Sequence, residues 1–308
     1  MTFRLLVADL DSPSYFVATA AAELGCFAQE GIEIELVRDY GAEKGPALLR
    51  AGTVHFLGGP AYIASQEFPD CKGVKLICAL SQYSYWFLAV RADLDIERGD
   101  MNGLKGLRIS ASQPWPELGL KYLLADSGID LVRDNIQIVP PPKSIDPRWK
   151  GRAGIEAIEQ KIADAYWGNG MRAALGEHEG IAKLHLDLRR GDGPPGARWY
   201  NFAALTVTDA LIAEHPEIVA AAVRAIVRAQ KALQANPGLS TAIAKRLFHP
   251  EEVPLIAGLI ERDAPFYDAH ISPEAIDGLN RFAHGIGLIS APIPYEHLVA
   301  SQFSRFWA

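Results

Sequence analysis

The chain has 308 residues, of which 49% are hydrophobic and 22% charged, and its formal net charge is −7. This composition is typical of a globular protein, and the acidic balance argues against a nucleic-acid-binding surface. No apolar run approaches the roughly 20 residues that a transmembrane helix needs. The length suits two lobes of roughly 100–150 residues better than a single core.

The sequence indicates no metal centre and no cofactor. Its three cysteines, Cys26, Cys71 and Cys78, form no CxxC pair, and the eight histidines are scattered without paired spacing. There is no P-loop and no Gly-x-Ser-x-Gly elbow. We therefore expect neither a disulfide framework nor a bound metal.

The N-terminal segment runs directly into the first predicted strand, without the basic segment, apolar core and cleavage site of a secretory signal peptide. This segment therefore leaves two localisations as alternatives. The sequence as written predicts a cytoplasmic protein, and a periplasmic one if a leader has been removed.

The chain opens on a strand–helix–strand pattern, which builds parallel sheet. Leu5–Ala8 predicts a strand, an Ala-rich helix follows to about Glu30, and Ile32–Val37 predicts the second strand. The loop before the helix, Asp11–Tyr15, carries Pro13 close to the first helical turn. Ligands of open α/β sheets bind at the carboxyl ends of strands, where helix N-termini leave N–H groups without intrahelical partners. The loop is therefore a candidate ligand contact, although its serines could also cap the helix.

Further strands and helices follow in chain order. Strands are predicted at Thr53–Ala61, Val74–Leu80, Phe87–Arg91, Leu107–Ser110, Ile136–Val139, Ala163–Trp167, Leu184–Leu188 and Tyr200–Thr208. Helices are predicted at Glu43–Ala51, Glu117–Ser127, Ile155–Lys161, Ile218–Ala235, Leu239–Phe248, Glu251–Arg262 and Pro273–Ile286. Gly58-Gly59-Pro60 predicts a turn into a helix, and Gly168-Asn169-Gly170 predicts a turn.

Two βα sets are followed by a helical tail, and two extended segments, Phe87–Arg91 and Tyr200–Thr206, separate them. Such segments carry the chain between the lobes of clamshell binding proteins. We therefore predict one lobe from residues 1–88 with 202–308, a second lobe from 89–201, and a ligand cleft between the lobes.

Three segments carry a resemblance to a known family: Ala22–Val37, Leu48–Phe56 and Thr208–Ala225. They resemble the NMT1/THI5-like group of type II periplasmic binding proteins, which are solute-binding components of nitrate, sulfonate, taurine and pyrimidine-precursor ABC importers. The resemblance spans nearly the whole chain. It implies an α/β, two-lobed type II periplasmic-binding-protein (Venus-flytrap) fold with a helical C-terminal tail.

The resemblance also implies that the loops at the carboxyl ends of strands line the cleft. The residues expected to bind the ligand are Asp11, Ser12, Ser14, Tyr15, Asp39, Gly59, Pro60, Ser81, Tyr83, Ser110, Ser112, Trp115, Glu117, Trp167 and Asn169. The aromatic members suit a planar ring, whose edges hydroxyl and amide groups would orient, although some of them could belong to the core.

The charge of the ligand depends on which groups face the cleft. Carboxylates facing inward would favour a cationic or hydrogen-bond-donating ligand. If they face outward, helix N-termini and the basic residues Arg148, Lys150 and Arg152 suit a carboxylate or sulfonate. We favour an aromatic or heteroaromatic acid or amide.

Two functions are compatible with these features. The first is binding of a small polar, aromatic or heteroaromatic organic molecule, as the substrate-binding component of an ABC-type importer with a permease as its partner. The alternative is a cytoplasmic, cofactor-independent decarboxylase or lyase acting on an aromatic acid, because the family's relatives include decarboxylases of hydroxylated phthalates. The missing leader favours the enzyme.

The enzyme would need a group that exchanges protons near neutral pH. Its candidates are His55, Glu117, Asp11 and Asp39. His55 has apolar neighbours in a predicted strand, which is more typical of a core histidine than of a catalytic base. The lack of a recognisable acid–base or metal constellation favours binding.

Overall fold

The computed structural model describes residues 1–38, 44–143 and 150–308, with the side chain of Lys150 left out. The strands in these ranges are β1 (Thr2–Val7), β2 (Glu33–Val37), β3 (Phe56–Pro60), β4 (Val74–Ser81), β5 (Phe87–Arg91), β6 (Arg108–Ser110), β7 (Gln137–Val139), β8 (Ala165–Gly168), β9 (Ala182–Asp187) and β10 (Ala203–Thr208).

The α-helices of the same ranges lie between and after these strands. They are α1 (Phe16–Glu23), α2 (Cys26–Gln29), α3 (Gly45–Arg50), α4 (Trp115–Asp126), α5 (Ala153–Glu159), α6 (Gly170–His178), α7 (Asp209–Glu214), α8 (Pro216–Ala235), α9 (Leu239–Leu247), α10 (Val253–Asp263), α11 (Pro273–Gly285) and α12 (Tyr295–Leu298). No helix in the described part of the chain is long and apolar enough to cross a membrane.

The chain divides into two compact units. The first unit comprises Met1–Tyr83, Trp199–Phe248 and Ile256–Ala308, and the second comprises Ser84–Arg198 and His249–Leu255. The lobe limits expected from the sequence, and the cleft, stay predictions.

The sheet of the first unit has the strand order β2-β1-β3-β10-β4. β1 pairs in parallel with β2 and β3, whereas β10 is antiparallel to both of its neighbours, β3 and β4. β3 and β4 therefore point the same way, and their last residues, Pro60 and Ser81, both pair with Ala203. This register places the carboxyl ends of β1, β3 and β4 at one edge of the sheet.

The sheet of the second unit repeats this arrangement, with the order β7-β6-β8-β5-β9. Here β5 is the antiparallel strand, placed between β8 and β9. Its first residue, Phe87, pairs with Gly168 and Asp187, which are the last residues of those neighbours. Each antiparallel strand begins shortly after the chain enters its unit, so the segments predicted to be extended are strands of the sheets.

Helices bury apolar residues against both sheets. In the first unit, α8 packs against α1 and α2, and its apolar stripe includes Val219, Val223 and Ile226. In the second unit, a core cluster joins α5, α6, β5, β8 and β9, and its members are Ala89, Ile155, Ile158, Tyr166, Leu175 and Ala182.

Three local predictions differ from the structure. The helix predicted to run to Glu30 ends at Glu23, because Gly25 has a φ of 70° and a second short helix begins after it. The predicted strand Thr53–Ala61 contains β3, but its residues Gly58–Pro60 continue the strand and do not form a turn, because β10 pairs with them. The predicted turn at Gly168–Gly170 is the end of β8 followed by α6.

Candidate functional site

The carboxyl edge of the first sheet brings together several predicted ligand residues. Gly59 and Pro60 end β3, and the fully buried Ser81 ends β4 in the same row. A Cβ atom on Gly59 would lie 3.0 Å from the Cβ of Ala8, so glycine lets β3 approach the segment that follows β1. That segment leads into the loop Asp11–Tyr15, which therefore meets the same edge.

This loop is held by backbone hydrogen bonds. The carbonyl oxygen of Ser12 accepts from the N–H groups of Tyr15 and Phe16 at 3.1 and 3.0 Å, and the Tyr267 hydroxyl donates to the Pro13 carbonyl at 2.9 Å. Tyr15 occupies the N-cap of α1 without a side-chain capping bond. Asp11 is partly buried, whereas Ser14 and Tyr15 are buried.

The hydroxyl of Ser12 has no hydrogen-bond partner in the described part of the chain, although the residue is only 1% exposed. A buried polar group left unpaired costs about 1–3 kcal/mol. Nearly all such groups in native proteins are paired, so each exception requires an explanation. The Ser12 hydroxyl is therefore a group of this loop that can still form a hydrogen bond with a ligand.

Tyr83 follows β4 with an unusual backbone. Its φ of 63° lies in the left-handed region, which costs a bulky residue on the order of 1–3 kcal/mol. Its ring makes edge contacts with Trp199, at a centroid distance of 4.8 Å, and with Phe266, at 5.9 Å. The three rings form an aromatic group that is partly exposed at Tyr83.

The carboxyl edge of the second sheet holds Ser110, Trp167 and Asn169. Ser110 ends β6 and is buried, and it pairs with Tyr166 of β8. Asn169 is the N-cap of α6, since its Oδ1 accepts from the Arg172 N–H at 3.1 Å. The side-chain oxygen of Asn169 therefore has a structural role in starting this helix.

Ser112, Trp115 and Glu117 lie at the start of α4. The Ser112 carbonyl oxygen accepts from the Glu117 N–H at 3.0 Å, and Trp115 is partly exposed. The Glu117 carboxylate accepts from Lys121 Nζ at 2.5 Å. This bond, with a further one from Gln113, holds the pKa of Glu117 below its usual range. Glu117 is therefore ionised and already paired at neutral pH.

Trp167 is buried in an aromatic pair. Its ring lies 5.5 Å from the ring of Trp86 at an interplanar angle of 43°, and the residue is 3% exposed. Trp86 in turn lies directly against Gly119 of α4, where an added Cβ would come within 2.5 Å of Trp86 Cη2. The indole Nε1 of Trp167 has no hydrogen-bond partner among the residues described.

Sequence reasoning missed Arg172. This residue stands in the first turn of α6, and its Cδ lies 3.1 Å from the position that a Cβ on Gly168 would take. Its stem therefore covers the carboxyl end of β8. The signal was present in the sequence, because an N-capping Asn169 places the third following residue in the first helical turn.

His55 lies at the other edge of the first sheet, immediately before β3 begins. Its Nδ1 accepts from the Arg4 N–H at 3.0 Å, and its ring packs edge-on against Phe3. Burial lowers the pKa of this histidine. The structure does not bring His55 together with the predicted ligand residues of its unit.

Some predicted positions are not described. Asp39 lies outside the described residues, as do Arg148 and the side chain of Lys150. Arg152 pairs with Glu159 and Glu179 in the second unit. Within the described ranges, no three His, Cys, Asp or Glu side chains form a possible metal site, and the three cysteines are buried and unbridged.

A pocket of about 410 Å³ lies elsewhere in the first unit. Gly73 and Lys75, at the amino end of β4, and Asp209, which follows β10, are among its lining residues. It therefore occupies the edge of the sheet opposite the predicted ligand residues, none of which lines it.

The family described as NMT1/THI5 like matches residues 12–239 of the chain. No curated protein matches this chain. Among solved structures, the periplasmic sulfonate-binding protein SsuA of Methylobacillus flagellatus KT is 16% identical, with a TM-score of 0.69 over 99% of this chain and 93% of that one.

Two further solved structures have comparable similarity. A cysteine-to-serine variant of the desulfurization enzyme DSZB, in complex with biphenyl-2-sulfinic acid, is 16% identical, with a TM-score of 0.70 over 99% of this chain and 97% of that one. The periplasmic nitrate-binding protein NrtA of Synechocystis PCC 6803 is 13% identical, with a TM-score of 0.69 over 99% of this chain and 87% of that one. Identities this low show the fold alone. The predicted fold class, a type II periplasmic-binding-protein fold with a helical C-terminal tail, is confirmed.

Proposed function

Because the chain belongs to the NMT1/THI5-like family, we propose that it is the substrate-binding component of an ABC-type importer. Its ligand in this proposal is a small polar molecule with an aromatic or heteroaromatic ring. Its partner is a transporter permease, and its place of action is the periplasm. In this proposal the ligand binds at the carboxyl ends of strands, where the residues predicted to contact it lie.

The observation that carries the proposal is a pair of buried polar atoms without partners. Ser12 lies in the loop after β1 and Trp167 is the penultimate residue of β8, and the described residues supply a partner to neither Ser12 Oγ nor Trp167 Nε1. A binding site needs a few polar groups that fix the orientation of its ligand. Polar atoms that are satisfied only when a ligand is present fit that role.

Aromatic rings at both edges support a planar ligand. The first unit offers the group of Tyr83, Trp199 and Phe266, and the second offers Trp86 and Trp167. Faces and edges of such rings form favourable contacts with another ring, worth about 0.5–1.5 kcal/mol beyond burial of area.

The ligands named for the similar structures support a small molecule of this kind. Sulfonate and nitrate are named for two periplasmic binding proteins, and biphenyl-2-sulfinic acid is bound to DSZB. The last of these is aromatic.

The described residues give less support to a lyase, which needs a group that exchanges protons near neutral pH. Glu117 is held ionised by Lys121, and His55 lies at the opposite edge of its sheet. A receptor needs no such group, and it is the function that these residues support best.

The test is a thermal-shift screen of aromatic and heteroaromatic acids, amides and sulfonates, followed by mass spectrometry of each hit after overnight incubation. A ligand that binds only the folded protein stabilises it by RT ln(1 + [L]/Kd). We expect at least one stabilising compound that returns unchanged. If no compound in the panel stabilises the protein, the receptor proposal fails. Loss of carbon dioxide from a hit would establish the lyase.

A matched pair of serine variants locates the site. Ser65 is also buried, at 7% exposure, but its hydroxyl donates to the Tyr62 carbonyl at 2.7 Å. Ser12→Ala removes an unpaired hydroxyl, so it should leave the unliganded melting temperature unchanged or higher and should reduce the ligand-induced shift. Ser65→Ala should lower the melting temperature and leave that shift unchanged. The opposite pattern would place the ligand away from Ser12.

A further inference from the structure

The strand β4 lies at one end of the first sheet, so in the described sheet only one of its edges pairs with a strand, β10. Its outer edge is covered by the segment Tyr295–Trp307, which we call the strap. Val299 forms an isolated parallel bridge with Leu76, and the Ala300 N–H donates to the Leu76 carbonyl at 2.9 Å. The backbone of the strap thus replaces a neighbouring strand at this point of β4.

Side chains hold the rest of the strap to β4. Trp307 is 5% exposed and donates its indole N–H to the carbonyl of Ile77, a residue that the register between β4 and β10 skips. Lys75 makes the reverse contact, since its Nζ donates to the carbonyl oxygens of Glu296 and His297 at 3.2 and 2.6 Å. The strap also buries apolar side chains, those of Leu298, Val299 and Phe303. It is therefore attached to β4 by hydrogen bonds donated from both sides.

The opposite edge of the same sheet is protected in a different way. β2 exposes Glu33 and Glu35, and charged side chains on an edge strand discourage pairing with another chain. β4 carries a single charged residue, Lys75, and its other residues are apolar except for Ser81. A long apolar edge strand is a site of edge-to-edge association unless another segment covers it. The strap therefore protects β4 as the glutamates protect β2.

We propose that the outer edge of β4 is a self-association surface for a second copy of this chain, and that the strap keeps it closed. Two β4 strands that pair in antiparallel fashion are self-complementary, because each offers the other the same N–H and carbonyl groups about a two-fold axis. Two copies joined in this way form one continuous sheet and a dimer of defined size. Neither the ligand nor the permease takes part in this contact.

Two substitutions loosen the strap while keeping its apolar side chains. Ala300 has a φ of −80° and follows Val299, whose φ of −108° and ψ of 130° are extended, so Ala300→Pro fits the backbone and removes the N–H. Trp307→Phe removes the indole donor and keeps an aromatic ring. The double variant loses the hydrogen bonds that these two residues donate to β4.

Light scattering after gel filtration, over a range of protein concentrations, gives the mass of the wild type and of the double variant. We expect the wild type to be a monomer and the mass of the double variant to rise toward twice that value as its concentration increases. A dimeric wild type, or a double variant that stays monomeric at every concentration, overturns the proposal. If the double variant does not fold, Trp307→Phe alone is measured in the same way, and a mass equal to that of the wild type at every concentration overturns the proposal.

Gly119→Ala is the control for a general loss of stability. Gly119 lies in the second unit, where an added Cβ would come within 2.5 Å of Trp86 Cη2, so this variant should have a lower melting temperature. It leaves the strap intact and should remain monomeric. Dimerisation of Gly119→Ala to the same extent would show that association follows from destabilisation and would overturn the role of the strap.

A synthetic peptide of the wild-type segment Tyr295–Ala308 identifies the surface. Added in excess to the dimeric double variant, it should bind β4 in place of the loosened strap and return the protein to the monomer. A peptide of the same composition in scrambled order should leave the dimer intact. Equal effects of the two peptides, no effect of either, or aggregates of undefined size that the wild-type peptide does not dissolve would overturn the proposal.

Discussion

His185 is a buried histidine that should make the stability of the protein depend on pH. It lies in β9 and is 1% exposed, with Nε2 3.2 Å from the Asp100 carbonyl oxygen and Nδ1 without a partner among the described residues. Burial lowers the pKa of this histidine, with Lys183 acting in the same direction and Asp100 and Asp192 acting against it. Protonation would place a second N–H donor where no acceptor is available.

Stability should therefore fall in acid. The unfolded chain holds a histidine with a pKa of about 6.5, above that of the folded protein, so it binds more protons as the pH drops through this value. The contribution of neutral His185 is complete above about pH 6.5 and is lost below it. The drop in melting temperature between neutral and mildly acidic buffer should be smaller in His185→Gln than in the wild type. His284→Gln, at an exposed position in α11, should keep the wild-type drop.

At the scale of single helices, two glycines give opposite predictions for the same substitution. Gly119 lies inside α4, where a Cβ would clash with the buried ring of Trp86 at 2.5 Å. Gly258 lies inside α10 on an exposed turn, with nothing within 4 Å of its Cβ position. Gly119→Ala should destabilise the protein by about 1–3 kcal/mol through overpacking. Gly258→Ala should stabilise it by about 0.5–1 kcal/mol, because alanine loses less backbone entropy in a helix.

Chemical denaturation of both variants checks this pair. Equal effects of the two substitutions would show that helix propensity alone decides the outcome and that Trp86 moves aside at little cost.

Helices with local signals could be predicted from the sequence, and elements set by distant partners could not. The limits predicted for α8 are close to those observed, because Pro216 and Asn236 mark its ends and its apolar residues follow the helical period. α6 was missed because the glycines beside Asn169 suggested a turn and hid its capping role.

In the candidate site, too, features with a local signal could be predicted from the sequence and features set by distant groups could not. The loop that carries Ser12 and the strand that carries Trp167 could be predicted, since a strand followed by a helix places its last residues and its loop at the carboxyl edge. The unpaired state of their polar atoms could not, because it depends on which groups the fold leaves nearby. Gly59 and Pro60 were assigned to a turn because their partner strand, β10, comes far later in the chain.

At the scale of the whole molecule, the two sheets differ in where their strands lie along the chain. Every strand of the second sheet lies within residues 84–198, whereas β10 of the first sheet comes from beyond the second unit. A fragment of residues 84–198 should therefore fold on its own, and a fragment of residues 1–83 should not, since it lacks the strand between β3 and β4.

Circular dichroism and thermal melting of the two fragments test this expectation. The second-unit fragment should melt cooperatively but below the intact protein, because it lacks Leu255, which packs against the core cluster of that unit. A cooperative transition in residues 1–83 would show that β3 and β4 close the gap without β10.

The late position of β10 also reverses the order in which the two units mature on the ribosome. Synthesis of β4 is complete at Ser81, but its neighbour β10 begins only at Ala203. At about 5–20 residues per second, the nascent chain waits roughly 6–24 s between these points. During that interval every strand of the second sheet is synthesised, while the earlier-made β3 and β4 still lack the strand that joins them. The N-terminal part of this protein is thus the first to be translated and the last to be completed.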